Sequence, residues 1–238
     1  MESIIFFVTV CSFLLILHVY LGYPLSLWIL SKLGRKKPIH KDDEFEPEVT
    51  LMISCYNEID VVEEKIENAL ALEYPKDKLK IVVISDGSDD GTDEVALSYA
   101  DKGITLIRQE GRLGKTSAIN MAMEQCETEI TVFSDANAMY QPDAIRKLVR
   151  NFADTSVGYV VGAALYTDGG ENSAAASEDL YWKYEIGLKK MESDLHSVVG
   201  GDGAIYGIRR SLYMPLDQKD INDFVNPLQI IEQGYRGV

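Results

Sequence analysis

Asp135-Ala136-Asn137 sets two oxygen-bearing side chains in alternate positions at the end of an apolar run. Such a pair can hold a hard divalent cation, Mg2+ or Mn2+, when a diphosphate supplies the remaining ligands. Three other polar segments share the setting: Tyr56-Asn57-Glu58, Asp86-Gly87-Ser88-Asp89-Asp90-Gly91-Thr92 and Gly111-Arg112-Leu113-Gly114-Lys115-Thr116. Each alone is what a helix cap or turn requires, but four of them at the ends of successive apolar runs would converge on one crevice. There Arg112 and Lys115 would offset the charge of a diphosphate. Proton transfer needs a further carboxylate, and Asp220 and Asp223 are the candidates. Asp223 is preferred because it opens the helical pattern Phe224, Leu228, Ile231, where its alternative role is an N-terminal charge.

The elements that would position these residues alternate in type. Val49–Cys55, Ile81–Ser85, Ile104–Arg108, Ile130–Ser134 and Val157–Leu165 read as strands. Between them lie helical patterns: Val61, Val62, Lys65, Ile66, Ala69 and Leu70, then Thr92–Ala100, Lys115–Cys126 and Pro142–Phe152, the last with proline in its first turn. This βα alternation predicts an α/β fold, a mostly parallel sheet with helices on both faces and ligands beyond the carboxyl ends of the strands. After about Gly169 the alternation stops. A long amphipathic helix over Ser177–Leu195, a glycine-rich turn, a short strand and a final helix follow. Gly200-Gly201-Asp202-Gly203 suits either a tight turn or a close approach of backbone to a sugar. Tyr181, Trp182 and Tyr184 suit sugar stacking or, more commonly for aromatics on a long helix, a core.

Several functions are disfavoured by spacing. The glycine required five residues before Gly114 in a phosphate loop of the Walker type is Gln109, and the twelfth position of a calcium loop starting at Asp86 is Leu97 rather than glutamate. No GxGxxG follows the first strand. Three cysteines and three histidines offer neither a disulfide framework nor zinc spacing. The chain carries a net charge of -15; residues 1–41 hold +4, which leaves -19 on residues 42–238 and argues against nucleic-acid binding.

Ile4–Leu30 contains no charged residue, enough to span a bilayer as a helix. Glu2 and the large residues Leu21, Tyr23, Leu25, Leu27 and Trp28 disfavour a cleaved signal. Gly22 and Pro24 are expected to end or kink the span near Tyr23, leaving an interfacial tail, and the basic residues from Lys32 to Lys41 to keep the following domain cytoplasmic. The expected organisation is a membrane anchor over 1–33, a charged linker over 34–47 and a globular domain over 48–238, with a nucleotide-binding half (48–140) and an acceptor half (141–238).

In this order and spacing the residues resemble the inverting family 2 glycosyltransferases, in particular the membrane-bound branch that makes cellulose, chitin and hyaluronan. Val49–Glu58 resembles its first strand and nucleotide loop, Ile84–Ser88 with Asp90–Thr92 its second, Arg112–Asn120 its basic turn, and Ser134–Asn137 its DxD metal motif. Gly203–Arg210 resembles the strand before the acceptor region, and Asn222-Asp223-Phe224 with Gly234-Tyr235-Arg236 resembles the acidic pair, helix and GYR turn. The resemblance implies a GT-A-like, Rossmann-like fold and transfer of a hexosyl or N-acetylhexosaminyl group from a nucleotide sugar, a UDP-sugar above all, to a glycan or lipid-linked acceptor. It implies that Tyr56 and Glu58 line the base and ribose, that Asp86 accepts from the uracil N3–H, and that Arg112 and Lys115 lie near the phosphates. By the same carry-over Asp135 sits by the ribose and the divalent metal, Asn137 at the main metal-ligand position, Gly203 and Ala204 by the sugar, and Asp223 is the general base. Asn137 and Asn222 stand where the family has acids. The family continues into a QxxRW segment and further transmembrane helices, so the resemblance also implies a chain that stops short of them at Val238.

Two other readings compete. A nucleotidyltransferase would want a basic glycine-rich loop after the first strand, which Ser54-Cys55-Tyr56-Asn57-Glu58 is not. A catalytically inert nucleotide- or partner-binding module would keep the crevice and lose turnover.

Overall fold

The computed structural model describes residues 1–34, 36–163 and 173–238, without the side chains of 173–180. The described residues fall into two compact units, within Met1–Pro38 with Asp168–Ser197 and within Ile39–Thr167 with Val198–Val238.

The second unit is built on a seven-stranded sheet. Its strands are β1 (Val49–Cys55), β2 (Leu79–Ser85), β3 (Ile104–Arg108), β4 (Ile130–Asp135), β5 (Val157–Val161), β6 (Tyr206–Arg209) and β7 (Arg236–Gly237), in the order β3-β2-β1-β4-β6-β5-β7. All pairings are parallel except those of β6 with β4 and β5, so the sheet is mostly parallel. The helices that cover it are α3 (Ile59–Leu70), α4 (Thr92–Ser98), α5 (Lys115–Glu124), α6 (Ala144–Val149) and α8 (Asn222–Glu232).

Both faces of the central strands are apolar because both are covered. Leu51, Ile53, Val83 and Val132 pack with Val62, Ile66 and Ala69 of α3, Ala96 of α4 and Ile145 and Leu148 of α6. The intervening residues Met52, Val82, Ile84 and Phe133 pack on the opposite side with Ala118, Ile119 and Ala122 of α5 and Ile230 of α8. The two-residue period of the strands thus splits one run of apolar residues between two cores.

Boundaries differ modestly from those expected. The helix expected from Thr92 ends at Ser98 and is followed by a 3₁₀ turn, and that expected over Pro142–Phe152 is α6 plus a 3₁₀ turn over Arg150–Ala153. β5 ends at Val161, and Leu165 lies outside the described residues.

The first unit holds α1 (Glu2–Leu17) and α2 (Tyr23–Lys32), joined by a π turn over His18–Gly22, and α7 (Ser173–Leu195). The helix does not end at Gly22 and Pro24: it runs Glu2–Lys32, long and apolar enough to cross a membrane, with the π turn as its irregularity at this place. The wider π turn just before Pro24 accommodates a residue that cannot donate an N–H and whose ring crowds the preceding turn. Tyr23 of α2 donates to Glu192 of α7 at 2.5 Å, and Tyr184 of α7 donates to the Tyr20 carbonyl of the π turn at 3.1 Å. Lys36 pairs with Asp194 at 2.9 Å.

Candidate active site

The sheet order creates a crevice. The chain proceeds from β1 outward to β2 and β3, then returns to place β4 on the other side of β1, and loops leaving such a point diverge to opposite faces. Register brings the carboxyl ends level, with Ser54 opposite Asp135 and Cys55 opposite Ser85. A cleft of about 240 Å³ opens there, lined by residues that include Tyr56, Glu58, Asp86, Lys115, Asp135 and Asn137. Four loops that are far apart in sequence therefore meet as the sequence predicts.

Each side chain has a definite setting. Arg112 lies over the Tyr56 ring, its guanidinium carbon 4.1 Å from the centroid. Lys115, first residue of α5, donates to Asp135 Oδ1. Burial, helped by the carboxylates of Asp135 and Asp90, pushes the Glu58 carboxyl above its ordinary pKa. Asp86 is buried, and its carboxylate accepts from Gln109 Nε2 at 2.5 Å, Leu113 N at 2.9 Å and Gly114 N at 3.0 Å. It thereby fixes the basic turn that precedes Lys115. The acidic run after Asp86 forms a cap network: Asp90 accepts from the Ile59 and Thr92 amides, and Asn57 and Asp89 bond reciprocally.

The second half of the site comes from β6, α8 and the loop between α7 and β6. A Cβ built on Gly203 would lie 3.1 Å from Asp135 Oδ2 and 3.3 Å from Asp223 Oδ2. The two carboxylate oxygens are therefore no farther apart than the sum of these distances, with glycine between them because a side chain would crowd both. Asp220 is placed differently: its carboxylate accepts from the Asp217 amide at 2.9 Å and its carbonyl from Thr116 Oγ1 at 2.8 Å. Of the two candidate carboxylates, Asp223 is the one beside Asp135.

Proline explains how the glycine loop is held. In α8 the residue four positions after Asp223 is Pro227, which has no N–H to give the Asp223 carbonyl. Gly201 N–H fills that vacancy at 2.8 Å, and a side chain on Gly201 would strike the same carbonyl. Deeper in, the Tyr206 hydroxyl accepts from Asn222 Nδ2 at 2.7 Å and Asn226 Nδ2 at 3.0 Å, while its ring stacks on Phe133 with centroids 4.8 Å apart. The first turn of α8 is thus tied to β6 and β4.

Residues that the sequence did not assign to the site support it. Gln109, Tyr206 and Pro227 gave no local signal. Lys65 did give one, as a lysine on the stripe of α3 that also carries Val62, Ile66 and Ala69. It is fully buried, donates to the Ala138 carbonyl and lies 3.5 Å from the Tyr140 ring centroid. Burial pulls its pKa down to about 7, against the opposing pull of Asp135 and Cys55.

A divalent cation fits these donors in kind. Asp135 and Asn137 offer hard oxygen ligands at the rim of the cleft, and among the described residues no cluster of three or more His, Cys, Asp or Glu could hold a metal unaided. A substrate diphosphate would have to complete the coordination.

The model of the Glycosyl transferase family 2 family matches residues 50–216. The chain belongs to glycosyltransferase family 2. The match spans the four loops, Gly203 and β6, and stops short of Asp223. Poly-beta-1,6-N-acetyl-D-glucosamine synthase of Staphylococcus aureus strain MSSA476 is 35% identical over 130 residues, which are 53% of this chain and 31% of the synthase. The Staphylococcus epidermidis synthase of the same name is 26% identical over 164 residues, 61% of this chain and 39% of that protein. The chain thus spans about a third of the length of these curated relatives. Among solved structures, the mannosyltransferase PcManGT from Pyrobaculum calidifontis, in complex with GDP-Man and Mn2+, matches with a TM-score of 0.78 and 28% identity. That match covers 93% of this chain and 63% of PcManGT. A structure of S. aureus TarS with UDP-GlcNAc shares the fold at a TM-score of 0.54 and 15% identity, over 77% of this chain and 53% of that one. The fold of this family 2 chain is accordingly GT-A-like.

Proposed function

We propose that this chain is a membrane-anchored inverting glycosyltransferase that moves a hexosyl or N-acetylhexosaminyl group from a nucleotide-diphosphate sugar to a glycan or lipid-linked acceptor. The observation that carries the reading is the convergence of Asp135 and Asp223 on Gly203 beside the cleft. Family membership and the named activities of the relatives support it.

In this reading Tyr56 and Glu58 receive the nucleoside, with Arg112 stacked on Tyr56, and Asp86 meets the base while holding the turn of Leu113 and Gly114. Lys115 and Arg112 lie by the diphosphate. Asp135 and Asn137 would hold Mg2+ or Mn2+, which supplies Lewis-acid stabilisation of the departing diphosphate. Gly203 and Ala204 leave room for the sugar. Asp223 takes the proton of an acceptor hydroxyl as its oxygen bonds to the anomeric carbon. The bond from that carbon to the diphosphate oxygen breaks in the same displacement, so configuration inverts. Asp135, paired with Lys115 at the opposite side of Gly203 and next to Asn137, is suited to the metal rather than to the acceptor.

The helix Glu2–Lys32 is read as a single membrane span, with the basic residues up to Lys41 holding the catalytic unit on the cytoplasmic side. A UDP-sugar is the preferred donor. Calorimetric titration of the detergent-solubilised chain with UDP and with GDP, each with and without Mn2+, tests this. Metal-dependent binding selective for UDP, followed by transfer from a UDP-sugar, is the expected result. Selectivity for GDP would move the donor assignment, binding without turnover toward any acceptor would favour the inert module, and no binding by the folded chain would refute the proposal.

A further inference from the structure

Lys65 is buried at 0% exposure, yet it donates to a carbonyl and lies against an aromatic face, and among the described residues it forms no ion pair with a carboxylate. A buried ammonium with no carboxylate in contact is costly, and replacement of such groups by apolar residues is often neutral or stabilising. Stability alone therefore gives a poor account of a lysine on the apolar stripe of α3.

Its surroundings give a better one. The Ala138 carbonyl that it binds follows Asn137 directly, at the end of the turn that begins with Asp135. Two residues on, Tyr140 is gripped by Asn68 of the same helix: its N–H donates to Asn68 Oδ1 at 2.8 Å, and its carbonyl accepts from Asn68 Nδ2 at 2.9 Å. The Tyr140 ring covers the lysine, and its hydroxyl donates to the Ala204 carbonyl at 2.8 Å, next to Gly203. Lys65 thus sits where the turn bearing Asp135 and Asn137 meets the segment that reaches the glycine loop.

We infer that Lys65 is a positioning residue for metal binding: by holding the Ala138 carbonyl it fixes the turn that presents Asp135 and Asn137 to a divalent cation. The inference rests on the metal assignment proposed above. Two opposing effects follow from removing the amine. Loss of positive charge would favour a cation, whereas loss of the tether frees the turn. Either protonation state of the amine can donate to the carbonyl, so the tether persists where the charge does not. Groups that orient ligands from behind are typically worth 10- to 100-fold in metal affinity, and the tether is expected to dominate.

The test uses the detergent-solubilised full chain and the variants Lys65→Met and Lys65→Gln. Manganese is titrated into each in the presence of UDP, with UDP binding in EDTA and thermal unfolding as parallel readouts. Lys65→Met is expected to unfold at the wild-type temperature or above it and to bind UDP in EDTA as wild type does. Its manganese midpoint should rise about tenfold or more, and Lys65→Gln, which keeps a shorter neutral donor, should fall between. A wild-type manganese midpoint in Lys65→Met overturns the inference and leaves the metal assignment standing. An absence of manganese dependence in the wild type overturns both. Loss of folding in both variants assigns Lys65 to stability and likewise overturns it.

Discussion

Asp223 and Asp135 are chemically identical side chains, and what separates the roles proposed for them is the company each keeps. Asp135 is paired with Lys115 and neighbours Asn137, while Asp223 stands in the first turn of α8 across Gly203. If Asp223 is the base, as proposed, Asp223→Asn keeps the shape and removes the proton acceptor. Transfer should fall by about 10²- to 10⁴-fold, with UDP binding by calorimetry within about twofold of wild type. Gly203→Ala complements it. The backbone at Gly203 is not in the left-handed region, so alanine is tolerated conformationally, but its methyl group would press on both carboxylate oxygens. A displacement of that kind is worth about 10²-fold in rate. The expected outcome is a chain with near wild-type thermal unfolding and strongly reduced transfer; an active Gly203→Ala enzyme would show that the two carboxylates do not work across this residue. Lys65 makes the limit of sequence reading plain at this scale: the period of α3 shows that it faces inward, but only the packed structure shows that its neighbours are Ala138 and Tyr140.

Among the elements, α8 has the most unusual construction. Pro227 would weaken most helices, and here it leaves the Asp223 carbonyl without its helical donor, so that Gly201 can take it. Pro227→Ala restores an intrahelical N–H that competes for this carbonyl. The helix interior should gain stability, and the hold on the glycine loop should weaken. Denaturant unfolding is expected to show a protein at least as stable as wild type, while kcat for transfer drops and UDP binding is retained. If kcat is unchanged, the Gly201 contact is dispensable. Most elements were legible from periodicity alone, since β1 to β4 and α3 to α5 alternate apolar patterns of period two and 3.6. β6 and β7 were less so. An antiparallel partner inserted between β4 and β5 has no local signature, because strand direction follows from the path of the intervening chain, and two residues of β7 are too few for any pattern.

For the whole molecule, the long apolar N-terminal helix and the acidic sheet-bearing unit differ sharply in the surroundings that suit them. In the proposed reading the helix spans the membrane, and the basic residues Lys32, Arg35, Lys36, Lys37 and Lys41 that follow it hold the second unit on the cytoplasmic side by the positive-inside tendency. Protease added to inside-out membrane vesicles is therefore expected to degrade the unit beyond residue 38, and protease added to intact cells to leave it whole. Protection in the inside-out vesicles would reverse the assigned orientation.

The order of elements, the family and the four polar loops at strand ends are properties of the sequence, because they depend on local periodicity and on which residue types cap and turn a chain. Several decisive relations are not local. The strand order put β4 beside β1 and thereby made the crevice, and the antiparallel β6 carried Gly203 and α8 back to it. The long helix α7 packed with the N-terminal helix, a pairing that no local pattern announces. That Asp135 and Asp223 face each other across a glycine, and that a lysine is buried behind the turn bearing Asp135 and Asn137, was decided by tertiary packing, since side chains distant in sequence acquire a common environment only when burial of the two cores fixes the path between them.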